Sequence, residues 1–381
     1  MSITVIIVNW NSGELLAKCL RRLKAQTVQP ARVLVVDNAS SDGSLAGAGK
    51  LAGNVAVLRM NANLDALVKS RHTGENRCPV FCNPLKSLDS GACPGLRSGI
   101  HRNDDSWAFL TFDEFVNLGF AAGNNRALAE CDTEFVALLN PDAFPEPDWL
   151  ERLLAAARAH PEVAAFGSRQ LCHGDPEVLD GIGDNYHMSG LALRERYGLR
   201  QQAEDLVARE IFSPCAAAAL YRRQALADAG GFDEDFFCYL EDVDLGFRLR
   251  LAGHKAMYVP DAVVHHVRSA TTGGQQSDFA VYHGFRNLVW VFVKNMPGAL
   301  FWLLLPLHIA LNLASILLFL MRGQGRVILK AKRDAFLGIP RMWRKRRDTQ
   351  ANRVASIGGI WKALDKRIFM PVQPHIRRRI S

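Results

Sequence analysis

Three carboxylates stand close together in the second half of this 381-residue chain, in the segment YLEDVDLGFRLRLAG at residues 239–253. They are Glu241, Asp242 and Asp244, and the apolar residues after them recur every four positions, which predicts a helix with one buried side. Asp244 and Arg248, one turn apart, are expected to pair on its exposed side. Carboxylates at a helix start are usually caps. However, three phenylalanines precede these, which indicates a partly closed pocket where a carboxylate can accept a proton.

Continuous apolar runs alternate with helical patterns in the first 140 residues. The runs cover residues 3–8, 32–36, 55–59 and 135–139, and residues 15–23 have helical periodicity. Such runs are typical of strands that are covered on both faces. Strands that alternate with helices predict an α/β fold with a mostly parallel sheet.

Polar side chains follow three of these predicted strands. Asn9 and Asn11 follow the first strand, Asp37 follows the second, and Asn140 and Asp142 follow the fourth. Ligands of open parallel sheets bind outside the carboxyl ends of the strands. One such cluster is commonly a plain turn, whereas three at corresponding places indicate a binding site.

Six motifs, taken in order, resemble glycosyltransferase family 2, and within it the bacterial rhamnosyltransferase-like branch. The motifs are TVIIVNWNS at the start, VVDNASSDGS, LGFAAGNNRAL, LLNPDAF, GGFDEDFFCYLEDVDLGFRLRLAG and VVHHVRSAT. The resemblance covers residues 1–61 and 114–298. It implies the GT-A fold of nucleotide-diphospho-sugar transferases over residues 1–298.

The resemblance implies that a nucleoside diphosphate sugar binds at the strand ends. Asp37 matches the acid that contacts the nucleotide base, and Asn9 and Asn11 lie beside that pocket. Gly123 and Asn124 match a loop near the ribose and diphosphate, where glycine lets the backbone come close.

A metal site is implied by the segment Asn140-Pro141-Asp142, which occupies the place of the family's Asp-x-Asp motif. Asn140 replaces the first Asp on the donor side, which leaves Asp142 as the metal carboxylate. His266 matches a histidine that completes the site, and His265 is an open alternative. Mg²⁺ or Mn²⁺ is the expected cofactor, because hard oxygen ligands suit these ions. A histidine after a strand is also commonly a buried core residue.

The catalytic roles are likewise implied by the resemblance. Asp242 becomes the general base of an inverting reaction and takes the proton from the acceptor hydroxyl. Glu241 is expected to position the acceptor or to hold the loop. Residues 212–223 are expected to form a strand of small residues beneath the acceptor, with Cys215 as a packing residue.

Residues 62–113 depart from the family pattern, because its members usually pass from the third strand to LGFAAGNNRAL within a few residues. The segment is rich in polar residues, glycine and proline and has no sustained periodicity, which predicts a disordered insertion. Its cysteines and histidines are too loosely spaced for a regular zinc motif.

The C-terminal region predicts contact with a membrane. Residues 299–321 are mostly apolar and, at ~1.5 Å per residue, long enough to span a bilayer. Residues 322–381 are predicted to form a basic, helical tail with a net charge of +14. The first 321 residues carry −6, which gives +8 for the whole chain. The basic cluster at 341–347 argues against a simple span. It favours a re-entrant hairpin broken at Pro306 or a helix in the interface. A soluble helical hairpin or a dimer interface is the alternative.

The sequence thus predicts an inverting, metal-dependent glycosyltransferase. By resemblance, it moves a sugar such as rhamnose from a nucleoside diphosphate donor to a lipid-linked or polysaccharide acceptor for cell-surface glycan synthesis. The absence of a signal peptide and of a secreted cysteine pattern predicts the cytoplasmic face of the bacterial inner membrane, with its anionic surface as a partner. A transferase for another UDP- or GDP-sugar and a catalytically impaired membrane-tethered scaffold are the alternatives. The mildly acidic body argues against a nucleic-acid partner.

Overall fold

The computed structural model of the chain describes residues 1–45, 55–59, 101–102, 108–109, 116–268, 274 and 276–367. The predicted insertion, residues 62–113, lies outside them except for strands β4 (His101–Arg102) and β5 (Ala108–Phe109), which pair antiparallel. The end of the basic tail, residues 368–381, lies outside them as well.

The remaining strands form two sheets. They are β1 (Ile3–Asn9), β2 (Arg32–Asp37), β3 (Val55–Arg59), β6 (Phe135–Leu139), β7 (Ala143–Pro145), β8 (Val163–Cys172), β9 (Asp175–Gly181), β10 (Asp184–Tyr186), β11 (Ala192–Arg194), β12 (Arg209–Ile211), β13 (Ala218–Arg222) and β14 (Lys255–His266). Strands β10 and β11 form a separate antiparallel pair.

The described residues form nine α-helices. They are α1 (Leu15–Lys24), α2 (Gly119–Leu128), α3 (Trp149–Ala159), α4 (Arg223–Asp228), α5 (Glu241–Leu251), α6 (Asp278–Asn295), α7 (Gly298–Met321), α8 (Gly325–Ala351) and α9 (Ile357–Ala363).

The large sheet has the strand order β12-β14-β8-β13-β6-β1-β2-β3, with β7 and β9 paired beside β14 and β8. Six of the eight strands in this order point the same way, and only β13 and β12 run against them. The predicted α/β fold with a mostly parallel central sheet is therefore confirmed. Every residue of β1 is buried, as its continuous apolar run requires.

Helices cover both faces of this sheet. On one face α1 and α3 bury Leu16, Leu20, Trp149 and Leu153 against the strands. On the other face α2, α4 and α5 bury the next apolar layer. The sheet is therefore closed on both sides, and the carboxyl ends of the parallel strands are the natural place for a ligand.

A third layer, built from α6, α7, α8 and α9, packs on the outer side of α5. Its apolar core includes Phe247, Trp290 and Phe301. Asp244 is fully buried in this layer, where Lys294 lies 2.8 Å away and Arg248 lies 2.9 Å away. The predicted pair of Asp244 and Arg248 exists, but it was wrongly placed on the exposed side, because the third layer covers that face.

Helix α7 runs without interruption through Pro306, so the predicted break at this residue is wrong. Among the described helices it is the one long and apolar enough to cross a membrane. One narrow stripe of α7, from Leu300 to Phe319, is buried, while Trp302, Leu313 and Leu317 are about 60% exposed or more (65%, 62% and 59%).

Two hydrogen bonds join α7 and the residues after it to the rest of the molecule. Near the middle of the helix, His308 Nδ1 lies 2.8 Å from the Ser189 carbonyl oxygen. Just after its last turn, Gln324 Nε2 donates to Asp278 Oδ1 at 2.8 Å. The helix therefore lies along the body over its whole length.

The described part of the basic tail is helical and packs against the body. Trp290 of α6 donates its indole N–H to the Ala335 carbonyl of α8 at 3.0 Å. Further along α8, the Arg346 side chain donates to the Val293 carbonyl at 3.0 Å.

Candidate active site

A cavity of about 750 Å³ opens at the carboxyl ends of the parallel strands. It is lined by polar residues from the strand ends, by the loop before α5, and by apolar residues of α6 and α7. The polar residues of the lining include Asn38, Asn140, Asp142, Asp184, Arg194, Glu241, Asp242 and His266.

Asp142 and His266 meet in this cavity although they lie 124 positions apart in the sequence. His266 Nε2 lies 3.1 Å from Asp142 Oδ1, and its Nδ1 lies 2.7 Å from Asp180 Oδ2. His265 faces the other side of the strand, where its Nε2 lies 2.7 Å from Glu146 Oε1. Of the two adjacent histidines, His266 is thus the one beside Asp142.

The electrostatics of this group follow from its burial and its charges. Burial alone would lower the pKa of His266, but the carboxylates of Asp142 and Asp180 raise it to about 9. Burial alone would raise the pKa of Asp180, but the hydrogen bond from His266 and the charges of Arg194 and Arg268 hold it well below its usual range. The two carboxylates therefore favour the positively charged form of the His266 ring.

This donor set fits a divalent metal ion. Asp142 supplies a hard carboxylate oxygen, and the His266 ring is fixed by a second carboxylate on its other nitrogen, as is usual for histidine ligands. Asp142 and His266 are the side chains that would hold the ion.

Asp242 is half-buried at the start of α5 and faces the same cavity. Its Oδ1 accepts from the Val243 N–H at 2.8 Å and its Oδ2 from the Ala216 N–H at 3.1 Å. Two backbone donors thus fix the orientation of the carboxylate. Glu241 beside it is buried, and its Oε2 has no hydrogen-bond partner among the described residues. Burial, and next the charge of Asp242, raise the pKa of Glu241 well above its ordinary value.

The loop before α5 has a strained backbone. Three of its non-glycine residues have φ values of 65°, 66° and 65°, namely Phe237, Tyr239 and Leu240. Each such conformation costs on the order of 1–3 kcal/mol and needs support from its surroundings. Asn287 of α6 supplies it, because its side-chain N–H groups lie 2.7–3.0 Å from the carbonyls of residues 236, 238 and 239. The third layer thereby holds the loop that presents Glu241 and Asp242.

Three residues of the site, Asp180, Asp184 and Arg194, were not predicted from the sequence. Arg194 Nη1 lies 3.2 Å from Asp180 Oδ2, and its Nη2 contacts Cys215 Sγ at 2.7 Å. Burial, and next the charge of Asp242, raise the pKa of Asp184 to about 7. A usable signal was the pattern Asp-Gly-Ile-Gly-Asp at 180–184, since a Cβ on Gly181, at φ +152°, would collide with Arg194.

Cys215, for which a packing role was predicted, lines the cavity beside Asp184 and Asp242. It is buried beneath the cavity, and burial raises the pKa of its thiol, which disfavours the thiolate. The predicted strand over residues 212–223 is shorter in the structure, since β13 begins at Ala218 and the residues before it form the cavity floor.

The polar residues after β1 and β2 form a network between two loops. Asn9 is fully buried and donates to Asp37 Oδ1 at 3.2 Å and to Ser44 Oγ at 2.9 Å. Asn11 accepts from the Ser41 N–H at 2.8 Å. Asn9, Asn11 and Asp37 are not among the residues that line the cavity, whereas their neighbours Trp10 and Asn38 are. The role of these three residues in binding the nucleoside diphosphate sugar stays a prediction.

The segment with Gly123 and Asn124 is helix α2 and not the predicted loop. A Cβ on Gly123 would lie 2.8 Å from the Val8 side chain, so the glycine lets α2 pack closely on β1. Asn124 is buried and donates to the Phe120 carbonyl of its own helix at 2.9 Å. Both residues thus have a packing explanation, and it is the start of α2, at Gly119 and Phe120, that reaches the cavity.

Two family models match this chain. A model described as "Glycosyltransferase like family 2" matches residues 112–287, and a second, "Glycosyl transferase family 2", matches residues 4–78. The chain therefore belongs to glycosyltransferase family 2, and it is a glycosyltransferase.

Individual relatives show which members of the family this chain is similar to. The chain is 28% identical over 298 residues, 73% of its length and 80% of the relative's, to an N-acetylglucosaminyl-diphospho-decaprenol L-rhamnosyltransferase of Mycobacterium tuberculosis. It is 34% identical over 231 residues, 57% of its length and 46% of the relative's, to a pre-mycofactocin glycosyltransferase of the same species. It is thus similar to the bacterial rhamnosyltransferases of the family.

The fold has solved counterparts. A crystal structure of GalNAc-T7 with UDP, GalNAc and Mn²⁺ superposes with a TM-score of 0.50 at 13% identity, over 77% of this chain and 48% of the other. This likeness confirms the GT-A fold.

Proposed function

We propose that this chain is an inverting glycosyltransferase that uses a divalent cation, a nucleoside diphosphate sugar and a lipid-linked acceptor. The observation that carries the proposal is the placement of Asp142, His266 and Asp242 around one cavity at the strand ends. A carboxylate with a fixed orientation and a separate cation site are the two parts that an inverting transfer needs.

In this mechanism Asp242 takes the proton from the acceptor hydroxyl. The hydroxyl oxygen attacks the anomeric carbon of the donor sugar while the bond from that carbon to the diphosphate breaks. The Ala216 and Val243 N–H groups hold the carboxylate, which directs it at the acceptor. A cation held by Asp142 and His266 would neutralise the charge that grows on the leaving diphosphate. Glu241, adjacent and buried, shapes the acceptor side of the loop.

The proposed donor is dTDP-rhamnose, supported by the rhamnosyl activity in the name of the Mycobacterium relative. The test is a thermal-shift screen of dTDP-, UDP- and GDP-sugars with and without Mn²⁺. We expect the rise in melting temperature to be largest for dTDP-rhamnose and to need the metal. A larger, metal-dependent rise with a UDP- or GDP-sugar would replace rhamnose with that sugar.

The proposed location is the cytoplasmic face of the inner membrane. Helix α7 lies along the body with a wide apolar face outward, and α8, which follows it in the chain, carries exposed basic residues. An amphipathic surface of this kind suits a helix in the interface of an anionic membrane better than a span. The lipid carrier in the name of the Mycobacterium relative fits this location.

A catalytically impaired scaffold is the competing function. Many transferases of this chemistry hydrolyse their donor slowly when no acceptor is present, so release of nucleoside diphosphate measures the active site alone. We expect metal-dependent release from the wild type. No release with any nucleotide sugar, from a folded protein, would favour the scaffold.

A further inference from the structure

The cavity has two chemically different ends. The charged and polar residues of the lining lie at the strand ends, whereas α6, α7 and Leu191, just before β11, contribute an apolar wall. The residues of this wall are Leu191, Phe285, Leu311, Ala314, Leu318 and Phe319. A cavity with one polar and one apolar end matches a ligand that is polar at one end and hydrocarbon at the other.

Aromatic contacts connect the two ends. Phe237, in the loop before Asp242, stacks on His283 with ring centroids 5.2 Å apart. Two residues further along the chain, Phe285 meets Phe319 of α7 edge to face, with centroids 4.8 Å apart. Phe237, Phe285 and Phe319 all line the cavity, so aromatic rings face it from the loop before α5, from α6 and from α7.

The cavity wall on α7 continues onto its outer surface. Leu311, Ala314 and Leu318 recur every three or four residues and thus lie on one side of the helix. Ala314 is exposed, and the adjoining Leu313 and Leu317 are 62% and 59% exposed. A chain that leaves the cavity over Ala314 therefore meets a continuous apolar surface.

We infer that the groove formed by Leu311, Ala314 and Leu318 binds the hydrocarbon chain of the acceptor and leads it from the active site to the membrane-facing side of α7. The inference rests on the proposed function, sugar transfer to a lipid-linked acceptor. The helix that attaches the protein to the membrane is then also part of the acceptor site.

The test compares two acceptors with the same head group, N-acetylglucosaminyl diphosphate, one on a long polyprenyl chain and one on a single isoprene unit. The Ala314→Trp variant fills the groove. We expect it to raise KM for the long-chain acceptor by roughly tenfold or more, since apolar contact area is lost. Kinetics with the short-chain acceptor and donor hydrolysis should change less than about twofold, because the groove lies outside the polar end.

Ala310→Trp is the matched control, since Ala310 is an exposed alanine of the same helix that does not line the cavity. It should leave both acceptors unaffected. Equal KM effects of the two variants, or a wild type that does not distinguish the two chain lengths, would overturn the groove. A variant effect on the oligomeric state with unchanged kinetics would instead make the groove a contact between two copies of the chain.

Donor hydrolysis separates this inference from the function on which it rests. If the wild type hydrolyses or transfers its donor but ignores chain length, only the groove fails. If a folded wild type processes no nucleotide sugar at all, the proposed function fails.

Discussion

At the scale of single residues, the site depends on one histidine held between two carboxylates. Asp180 fixes the ring of His266, which leaves the other ring nitrogen and Asp142 directed at the same place. The metal role of this pair is testable separately from the proton transfer assigned to Asp242.

Asp142→Asn should abolish the metal-dependent part of donor binding and reduce transfer to background, because the diphosphate charge loses its counter-cation. The measurement is donor affinity by calorimetry with Mn²⁺ and after chelation. Asp148→Asn, a nearby exposed carboxylate in a surface pair with Arg152, is the control and should behave as the wild type. Full activity of Asp142→Asn in chelator-treated buffer would contradict the metal site.

Asp242→Asn should lower kcat by roughly 10²–10⁴-fold, the usual contribution of a general base, and leave donor affinity nearly unchanged. The amide keeps the shape of the side chain and can still accept one of the two backbone N–H groups. Kinetics and donor calorimetry on the same preparation separate the two effects. A loss of donor affinity equal to the loss of rate would assign Asp242 to binding.

At the scale of secondary-structure elements, the sequence predicted best what local patterns determine. Strands β3 and β6 have the predicted bounds, and β1 and β2 extend one residue further, because continuous apolar runs define them. The contribution of Asp184 and Arg194 could not be predicted in this way. It comes from β10 and β11, a short pair without hydrophobic periodicity whose place depends on contacts far along the chain.

In the GFAAGNN segment, the sequence predicted a substrate-binding role for residues that also have a packing explanation. Its resemblance to a substrate loop was read from residue identities, but those small residues are also what a helix needs to pack closely on β1. Likewise, the left-handed conformations of Phe237 and Tyr239 have no sequence signal, since neither is glycine. They require support from Asn287, which lies in another layer.

Buried charges hold α5 to the third layer. Burial alone would raise the pKa of Asp244, but Lys294 and Arg248 hold it below its usual range. The same is true of Asp233 beside Lys294 and Lys345. Because these pKa values are lowered in the folded state, the carboxylates stabilise it above the unfolded pKa of about 3.9, and this stabilisation is lost as the pH falls below that value.

Lys294→Met should therefore lower the free energy of unfolding by roughly 3–5 kcal/mol at neutral pH, since it leaves buried carboxylates without their partner. The loss should shrink below about pH 4, where these carboxylates take up protons. Denaturant unfolding across this pH range is the measurement. Arg152→Met, in an exposed pair, should have almost no effect. A Lys294→Met penalty that does not change with pH would assign the cost to packing.

At the scale of the whole molecule, the outward face of α7 should determine membrane binding. Deleting α7 to α9 would be a poor test, because it would uncover the core around Trp290. The double variant Leu313→Gln, Leu317→Gln keeps the fold and should weaken binding to anionic vesicles by roughly tenfold or more. Co-sedimentation measures it.

The matched variant Arg344→Gln, Arg347→Gln, on the exposed side of α8, should reduce only the salt-sensitive part of vesicle binding. Complete release of the wild type by high salt would contradict an apolar attachment, because apolar burial is not screened by ions.

The segment 62–113 should be dispensable for folding. Closing a flexible loop costs only about 0.6 kcal/mol more for each doubling of its length, so the sheet tolerates it. The two family models leave residues 79–111 unmatched, and the model that matches residues 4–78 extends into residues 62–78 of the segment. Joining Asn61 to Glu114 should preserve the melting temperature and metal-dependent donor turnover. A shortened protein that folds but no longer turns over its donor would make the segment a functional element.

The hydrogen bonds from Asn287 to the loop before α5 limit where this enzyme can be joined to a relative in a chimaeric protein. A chimaera joined at residue 298 would combine the α5 loop of one parent with its own α6 but with a foreign α7 and α8, and would lose the pairs that Lys345 and Gln350 make with the body. A junction between Arg268 and Gln276 would transfer α6 to α9 together but separate Asn287 from the carbonyls it fits. The contacts of Asn287 with this loop are therefore kept within one parent only when the loop from Asp233 to Asp244 moves with the four helices.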